Sequence, residues 1–202
     1  MNLDNPYPSG STRDHLEMTS NIVLSDSATN GWSIAFWAKD RLGYQNFGGT
    51  VLGNSASPNS RLWLDMNSPG VRVTNAVASS MNIGPGGEDR AWHHWVLVYE
   101  DADNDSAVDD VTLYFDGLFY ATVNNFGGSF DFNAVGSSNG NARYAFGGQL
   151  DEIFILDEAI GSAQVDSLFN GNQAYTGEVP EPGSLALVGL GGLMLIARRR
   201  RS

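Results

Sequence analysis

The chain has 202 residues, no cysteine and a formal net charge of −12. That length suits one ordinary domain whose core needs no cross-links, and the missing thiols exclude a disulfide framework and a thiolate metal site. The acidity argues against nucleic acid and anionic lipid as partners, while 24 glycines with only 17% charged residues point to many tight turns and few long surface helices.

Met1 to Ser20 carries neither the basic stretch nor the apolar run of a secretory leader. His15–Met18 and Ile22–Leu24 are short strand candidates. Trp32–Lys39 alternates with period two and sets Trp32, Ile34, Phe36 and Ala38 on one face. Thr50–Leu52, Arg61–Asp65 and Val71–Val73 read as further strands. Trp92–Tyr99 is apolar enough to be buried on both faces. Val111–Phe115 meets Asp116-Gly117, a type I′ hairpin signal, and Leu118–Val123 returns. Asn133–Val135, Arg143–Phe146 and Gln149–Leu156 follow. Ser162 is placed to cap one helix, with Val165, Leu168 and Phe169 on its face and Gly171 to stop it. The expected fold is all-β: an antiparallel two-sheet β-sandwich (jelly roll) with one short helix near the C-terminal end and a short C-terminal hydrophobic segment.

The densest charge cluster runs from Glu100 through Asp101, Asp103 and Asp105 to Asp109 and Asp110. Carboxylates at alternate positions can turn towards one centre, and calcium takes oxygen ligands of this kind. The run begins like an EF-hand loop, but Ser106 stands at the glycine position and Thr112 at that of the bidentate Glu. It reads either as a weak calcium site or as a solvated hairpin loop. Asp151 and Glu152 are adjacent in a strand, so simple alternation sends them to opposite faces and forbids a shared dyad. His93 and His94 are separated in the same way and do not chelate one metal. Trp32, Phe36, Trp63, Trp92 and Trp95 read as core. Tyr44, Phe47, Phe126, Phe130 and Tyr144 lie in Gly/Asn-rich loops, where they can stack on sugars or lid the core; Tyr44, Phe47, Phe126 and Tyr144 are the ligand-binding candidates.

In their order, the segments Trp32–Lys39, Trp92–Tyr99, Leu113–Gly117 and Gly147–Ile153, followed by a helix, make Asp14 to Asn170 resemble the laminin-G-like group of concanavalin A-type jelly rolls. The resemblance implies two sheets of several strands each and, often, glycan or protein binding. It also implies that Asp151 ties the terminal strands together, in some relatives through calcium. The opening strand looks short against that pattern, so the start is read as truncated. Jelly-roll glucanases carry Glu-x-Asp-x-x-Glu on one strand face, and no stretch here has it, so the chain is not expected to be an enzyme.

After the linker come Pro180, Glu181 and Pro182, then an apolar run from Leu185 to Ala197, then Arg198, Arg199, Arg200 and Arg201. The prolines hold the box extended. Counted from Ser184 to Ala197, a run of about 14 residues makes roughly 21 Å of helix, short against a hydrocarbon core of roughly 30 Å. The arginines favour the cytoplasmic side, which leaves the body outside. The three ordered parts resemble the PEP-CTERM sorting signal of Gram-negative bacteria. That resemblance implies transient contact with the inner membrane, recognition by an exosortase, and delivery to the cell surface or extracellular matrix. The expected organisation is a laminin-G-like domain over 1–171, a linker over 172–178 and the sorting signal over 179–202. The expected function is a non-catalytic surface or matrix module that binds glycan or another matrix component. The alternatives are a structural matrix protein without a specific ligand, or an atypical glycan hydrolase.

Overall fold

A computed structural model describes residues 2–3, 15–25, 29–40, 49–57, 60–65, 70–74, 80–83, 91–126, 129–138 and 145–171. The elements are β1 (Asn2–Leu3), β2 (Leu16–Leu24), β3 (Trp32–Asp40), β4 (Gly49–Gly53), β5 (Arg61–Asp65), β6 (Gly70–Thr74), β7 (Ser80–Ile83), β8 (Trp92–Glu100), β9 (Asp110–Phe115), β10 (Leu118–Val123), β11 (Phe130–Val135), β12 (Gly148–Leu156) and α1 (Ser162–Phe169). They form two six-stranded sheets, ordered β1-β12-β3-β8-β9-β10 and β2-β11-β4-β5-β6-β7. Every strand pairing is antiparallel. The expected sandwich is what the chain adopts.

The alternation in β3 explains the layering. Trp32, Ile34, Phe36 and Ala38 enter the core between the sheets, with Trp95, Leu97 and Tyr99 of β8 beside them. The opposite face of the same strands is also covered. Ala35, Val96 and Val98 pack with Val165 and Leu168 of α1 in a second cluster. That is why β8 reads as continuously apolar: residues from His94 to Tyr99 are buried on either one face or the other. Each fully buried large aliphatic or aromatic side chain contributes about 1.5–3 kcal/mol.

Local differences from the sequence reading have local causes. Leu16–Met18 of the expected His15–Met18, together with Ile22–Leu24, belong to one strand, β2. Its pairing slips between Phe132↔Ile22 and Ala134↔Glu17, so extra residues of β2 bulge outward and break the alternation. Of the expected strand Arg143–Phe146, Ala145 makes an isolated bridge to Thr50. Gly161, not Ser162, is the N-cap of α1. Its N–H donates to Gln164 Oε1 at 2.7 Å, so the residue three positions on closes the turn from its own side chain. Gly171, at φ 67°, ends the helix region as expected.

The hairpin Asp116-Gly117 has φ of 48° and 79°, the two positive values of a type I′ turn. Asp116 also ties the hairpin to β8. Its carboxylate accepts the His94 N–H at 2.9 Å and lies 2.8 Å from His93 Nδ1. Phe169 of α1 sits over Gly117, where a Cβ would come within 2.9 Å of its ring. The turn therefore seats the end of the helix on the outer face of the sheet.

Candidate functional site

Two features at opposite ends of the first sheet carry chemistry. One is the acidic loop joining β8 to β9. Asp101 accepts the N–H of Asp105 and of Ser106, each at 3.1 Å. Asp103 accepts the Asp105 N–H at 3.2 Å and the Asn124 side-chain amide at 3.2 Å. Asp105 accepts the Ala107 N–H at 2.8 Å. Asn104 and Ser106 take φ of 62° and 77° to make this winding, so Ser106 adopts the conformation for which an EF-hand loop keeps glycine.

Asp110 is the anchor of that loop. It is fully buried. Its Oδ2 accepts the N–H groups of Ala102 and Asp103 at 2.8 and 2.9 Å, and its Oδ1 accepts that of Asn125 at 3.1 Å. One carboxylate oxygen each from Asp101, Asp103 and Asp110 lies within 4.8 Å of the others. Three convergent carboxylates can hold a metal ion, and an all-oxygen set suits a hard cation such as calcium. Asp109 has its carboxyl pushed above the ordinary range by desolvation and by the charges of Asp105, Asp110, Asp103 and Asp101. That shift costs the loop nothing at low pH and destabilises it as pH rises through the raised value; a bound cation would relieve it.

The second feature is a cleft of about 430 Å³ on the outer face of the first sheet, beside the C-terminal end of α1. Trp37 and Trp92 supply indole walls, Asp151 and Glu152 supply carboxylates, and Phe169 and Asn170 close the helix side. Its volume falls in the range of small-ligand sites. Trp37 stacks on Phe169 at 5.6 Å between ring centroids and contacts His94 at 5.0 Å.

A bulge in β12 builds the acidic wall. Asp151 pairs with Trp37 but Phe154 pairs with Ala35, so β12 carries one extra residue between them. Glu152 takes φ of 46° there, a conformation that costs a non-glycine residue energy. The slip restores Ile153 and Ile155 to the inner core and Phe154 to the outer cluster. It also leaves Asp151 and Glu152 both exposed and both lining the cleft. The expectation that these two acids face opposite ways is thereby corrected: strict alternation fails at a bulge.

The family described as the concanavalin A-like lectin/glucanases superfamily, of laminin-G type, matches residues 10–166. The chain belongs to this superfamily. The PEP-CTERM protein-sorting motif matches residues 178–201 of the lectin-like chain, which marks an exported protein handled at the cell envelope. No curated protein matches it in sequence. Solved structures share its fold. A heptameric SAP-like pentraxin from Limulus polyphemus is 15% identical, with a TM-score of 0.57 over 83% of this chain and 80% of the pentraxin. The CBM40 of a Ruminococcus gnavus IT-sialidase is 15% identical, with a TM-score of 0.53 over 77% of this chain and 96% of the module. The same module bound to α2,3 sialyllactose aligns with a TM-score of 0.52 at 15% identity, over 77% of this chain and 96% of the module.

Within the lectin-like domain the candidate residues separate. Asp101 and Asp103 converge as expected, but their third partner is Asp110 rather than Asp105, whose carboxylate closes the turn at Ala107. Asp151 is remote from them. It pairs with Trp37, which pairs with His94, and β8 then runs six residues to Glu100, about 20 Å of strand. Phe126 is not a surface platform. It is 3% exposed in the inter-sheet core, held there by its N–H bond to the Asp109 carbonyl, so it lids the core. Phe130 is likewise fully buried. Tyr44, Phe47 and Tyr144, and the sorting residues Pro180, Glu181, Pro182 and Arg198 to Arg201, lie outside the described residues. Trp32, Phe36, Trp63 and Trp95 are buried as expected. Trp92 is not: as the first residue of β8 it is 38% exposed and lines the cleft.

His94 forms the layer beneath the cleft aromatics. It is 1% exposed, and its Nδ1 meets no hydrogen-bond partner among the described residues. Burial lowers its pKa from 6.5 to about 4, against the opposing pull of Asp116. The folded state therefore prefers neutral His94. That preference stabilises the domain fully above about pH 6.5 and is lost as pH falls towards 4. The shift corresponds to about 3 kcal/mol. Thermal melting of the wild type should fall over this window, and a His94→Phe variant should lose less stability there. Parallel melting curves for the two proteins across the window would reject this assignment.

Proposed function

We propose that this protein is an exported, non-catalytic carbohydrate-binding module of the surface or extracellular matrix of a Gram-negative bacterium, released from its C-terminal tail by an exosortase. The observation that carries the binding reading is the open cleft with indole walls and two exposed carboxylates. An indole presents a flat apolar face to a sugar ring, and neighbouring carboxylates accept hydrogen bonds from its substituents. The lectin-type fold and its likeness to a sialidase-associated module support the same reading. The sorting motif supports the destination.

A binding role rather than hydrolysis is favoured by the setting of the two acids. Both are exposed. A glycosidase sets its two carboxyl groups on either side of the scissile bond, whereas these two are neighbours on one wall and no other carboxylate among the described residues lines the cleft. The acidic loop, at the far end of the sheet, is read as a calcium site that stiffens the β8–β9 connection. The test is a glycan array probed with the full chain. The expected result is saturable binding to a restricted set of glycans, lost in Trp92→Ala while melting is unchanged, because Trp92 is partly solvated. No saturable glycan binding would remove the carbohydrate reading. Sugar released from a bound glycan would remove the non-catalytic one.

A further inference from the structure

The cleft has a charge asymmetry that narrows its ligand. Asp151 and Glu152 bring two carboxylates to one wall, and among the described residues no cationic side chain lines the site. The only described hydrogen bond to the Asp151 carboxylate comes from the Glu152 N–H, at 3.0 Å. His94, beneath Trp37 and Phe169, is neutral at ordinary pH and adds no positive charge. Lys39 lies on the same face of β3 as Trp37, paired with Trp92 and Gln149, but one cation beside two carboxylates leaves this wall net negative, which disfavours an acidic sugar. The Ruminococcus gnavus module, by contrast, is seen with a sialylated ligand. Two indoles beside two carboxylates instead match a ring that carries a positive charge, since aromatic faces and carboxylates both attract cations.

The backbone fixes how this acidic wall is presented. Glu152 is held at φ 46° on a bulge, although glycine would fit that conformation without strain. A bulge of this kind re-aims a side chain, and such strain gathers at sites of recognition.

Resting on the carbohydrate reading above, we propose that the cleft recognises a pyranose bearing a free, protonated amine. Trp92 stacks on the ring, and Asp151 and Glu152 receive the ammonium group. The class of glycan is then a partly or wholly deacetylated aminosugar polymer, as opposed to a neutral, fully N-acetylated or acidic one.

The test is calorimetric titration of the full chain with a short glucosamine oligomer, its N-acetylated counterpart and the matching glucose oligomer, at physiological salt. The glucosamine oligomer should bind about tenfold or more tightly than either of the others. Trp92→Ala should weaken it by about tenfold, without changing the net charge that could attract any polycation. Glu152→Gly should bind weakly yet melt at or above the wild-type temperature, because it relieves the left-handed backbone. Equal affinity for the amino and acetylated oligomers would overturn the assignment, as would unchanged binding in either variant. Binding of other glycans by a wild type that ignores the glucosamine oligomer would defeat this inference alone and leave the carbohydrate reading standing.

Discussion

Asp110→Ala should lower the melting temperature by about 10 °C, equivalent to about 3–5 kcal/mol. Three backbone N–H groups, those of Ala102, Asp103 and Asn125, donate to this one buried carboxylate. Removing it takes away three charge-assisted hydrogen bonds, each worth about 1.5–3 kcal/mol, from N–H groups on exposed residues that water can partly satisfy again. The same substitution removes one of the three convergent carboxylates. Calcium should therefore raise the melting temperature of the wild type and leave Asp110→Ala unmoved. Asp101→Asn separates the two effects, because Asp101 is only half-buried and bonds only within the loop. It should melt close to the wild type without calcium and lose the calcium response. A wild type that shows no calorimetric heat with calcium would leave the loop a purely hydrogen-bonded connection. An Asp110→Ala protein that melts with the wild type would refute its role as anchor.

Gly31→Ala should cost about 3 kcal/mol or more and yield little folded protein. Gly31 has φ of 66°, and a Cβ there would overlap the Tyr99 carbonyl oxygen and meet Ala159 Cβ at 3.0 Å. The site lies where β3 begins, with the Trp32 ring stacked on Tyr99 at 5.0 Å. It is also where the chain after β12 crosses back, since Ala159 N–H donates to the Asn30 carbonyl at 2.8 Å. A backbone carbonyl on one side and an alanine Cβ on the other leave no flexible side chain to give way. Circular dichroism melts of Gly31→Ala against the wild type check this; equal melting would mean that the crossing can open without cost. Both variants should unfold the sandwich cooperatively, because each acts on strands β3, β8 or β9 that share the inter-sheet core.

Much of the fold was legible residue by residue. Trp32–Lys39 alternates, Asp116-Gly117 marks a hairpin, and Gly171 ends a helix; each is a local pattern with a local cause. The site was less legible. The run of acids around Asp101 announces a cation-attracting loop, but which carboxylates converge depends on the registers of β8 and β9 and on the chain near Asn125. Asp105 loses its place to Asp110 because Asp105 is spent on a turn. Trp92 looks like every other strand tryptophan in sequence; only its position as first residue of β8, at the mouth of the cleft, sets it apart. Glu152 was hidden by the alternation rule itself. The one signal that exposes it is that Leu150, Ile153 and Ile155 all require the inner face, which a strict period of two from Leu150 cannot satisfy.

By itself the amino-acid order determined that this chain makes antiparallel strands and a short helix, that it is acidic and free of thiols, and that its end carries an export address. Those properties follow from periodicity, turn chemistry and composition, which act over a few residues at a time. Tertiary structure alone decided which acids meet, which aromatics reach solvent, and that α1 rests on the outer face of the first sheet to make a cleft. Those outcomes depend on bulges and on pairings between segments far apart in the chain, where the gain of packing a distant face outweighs the preference of any one residue.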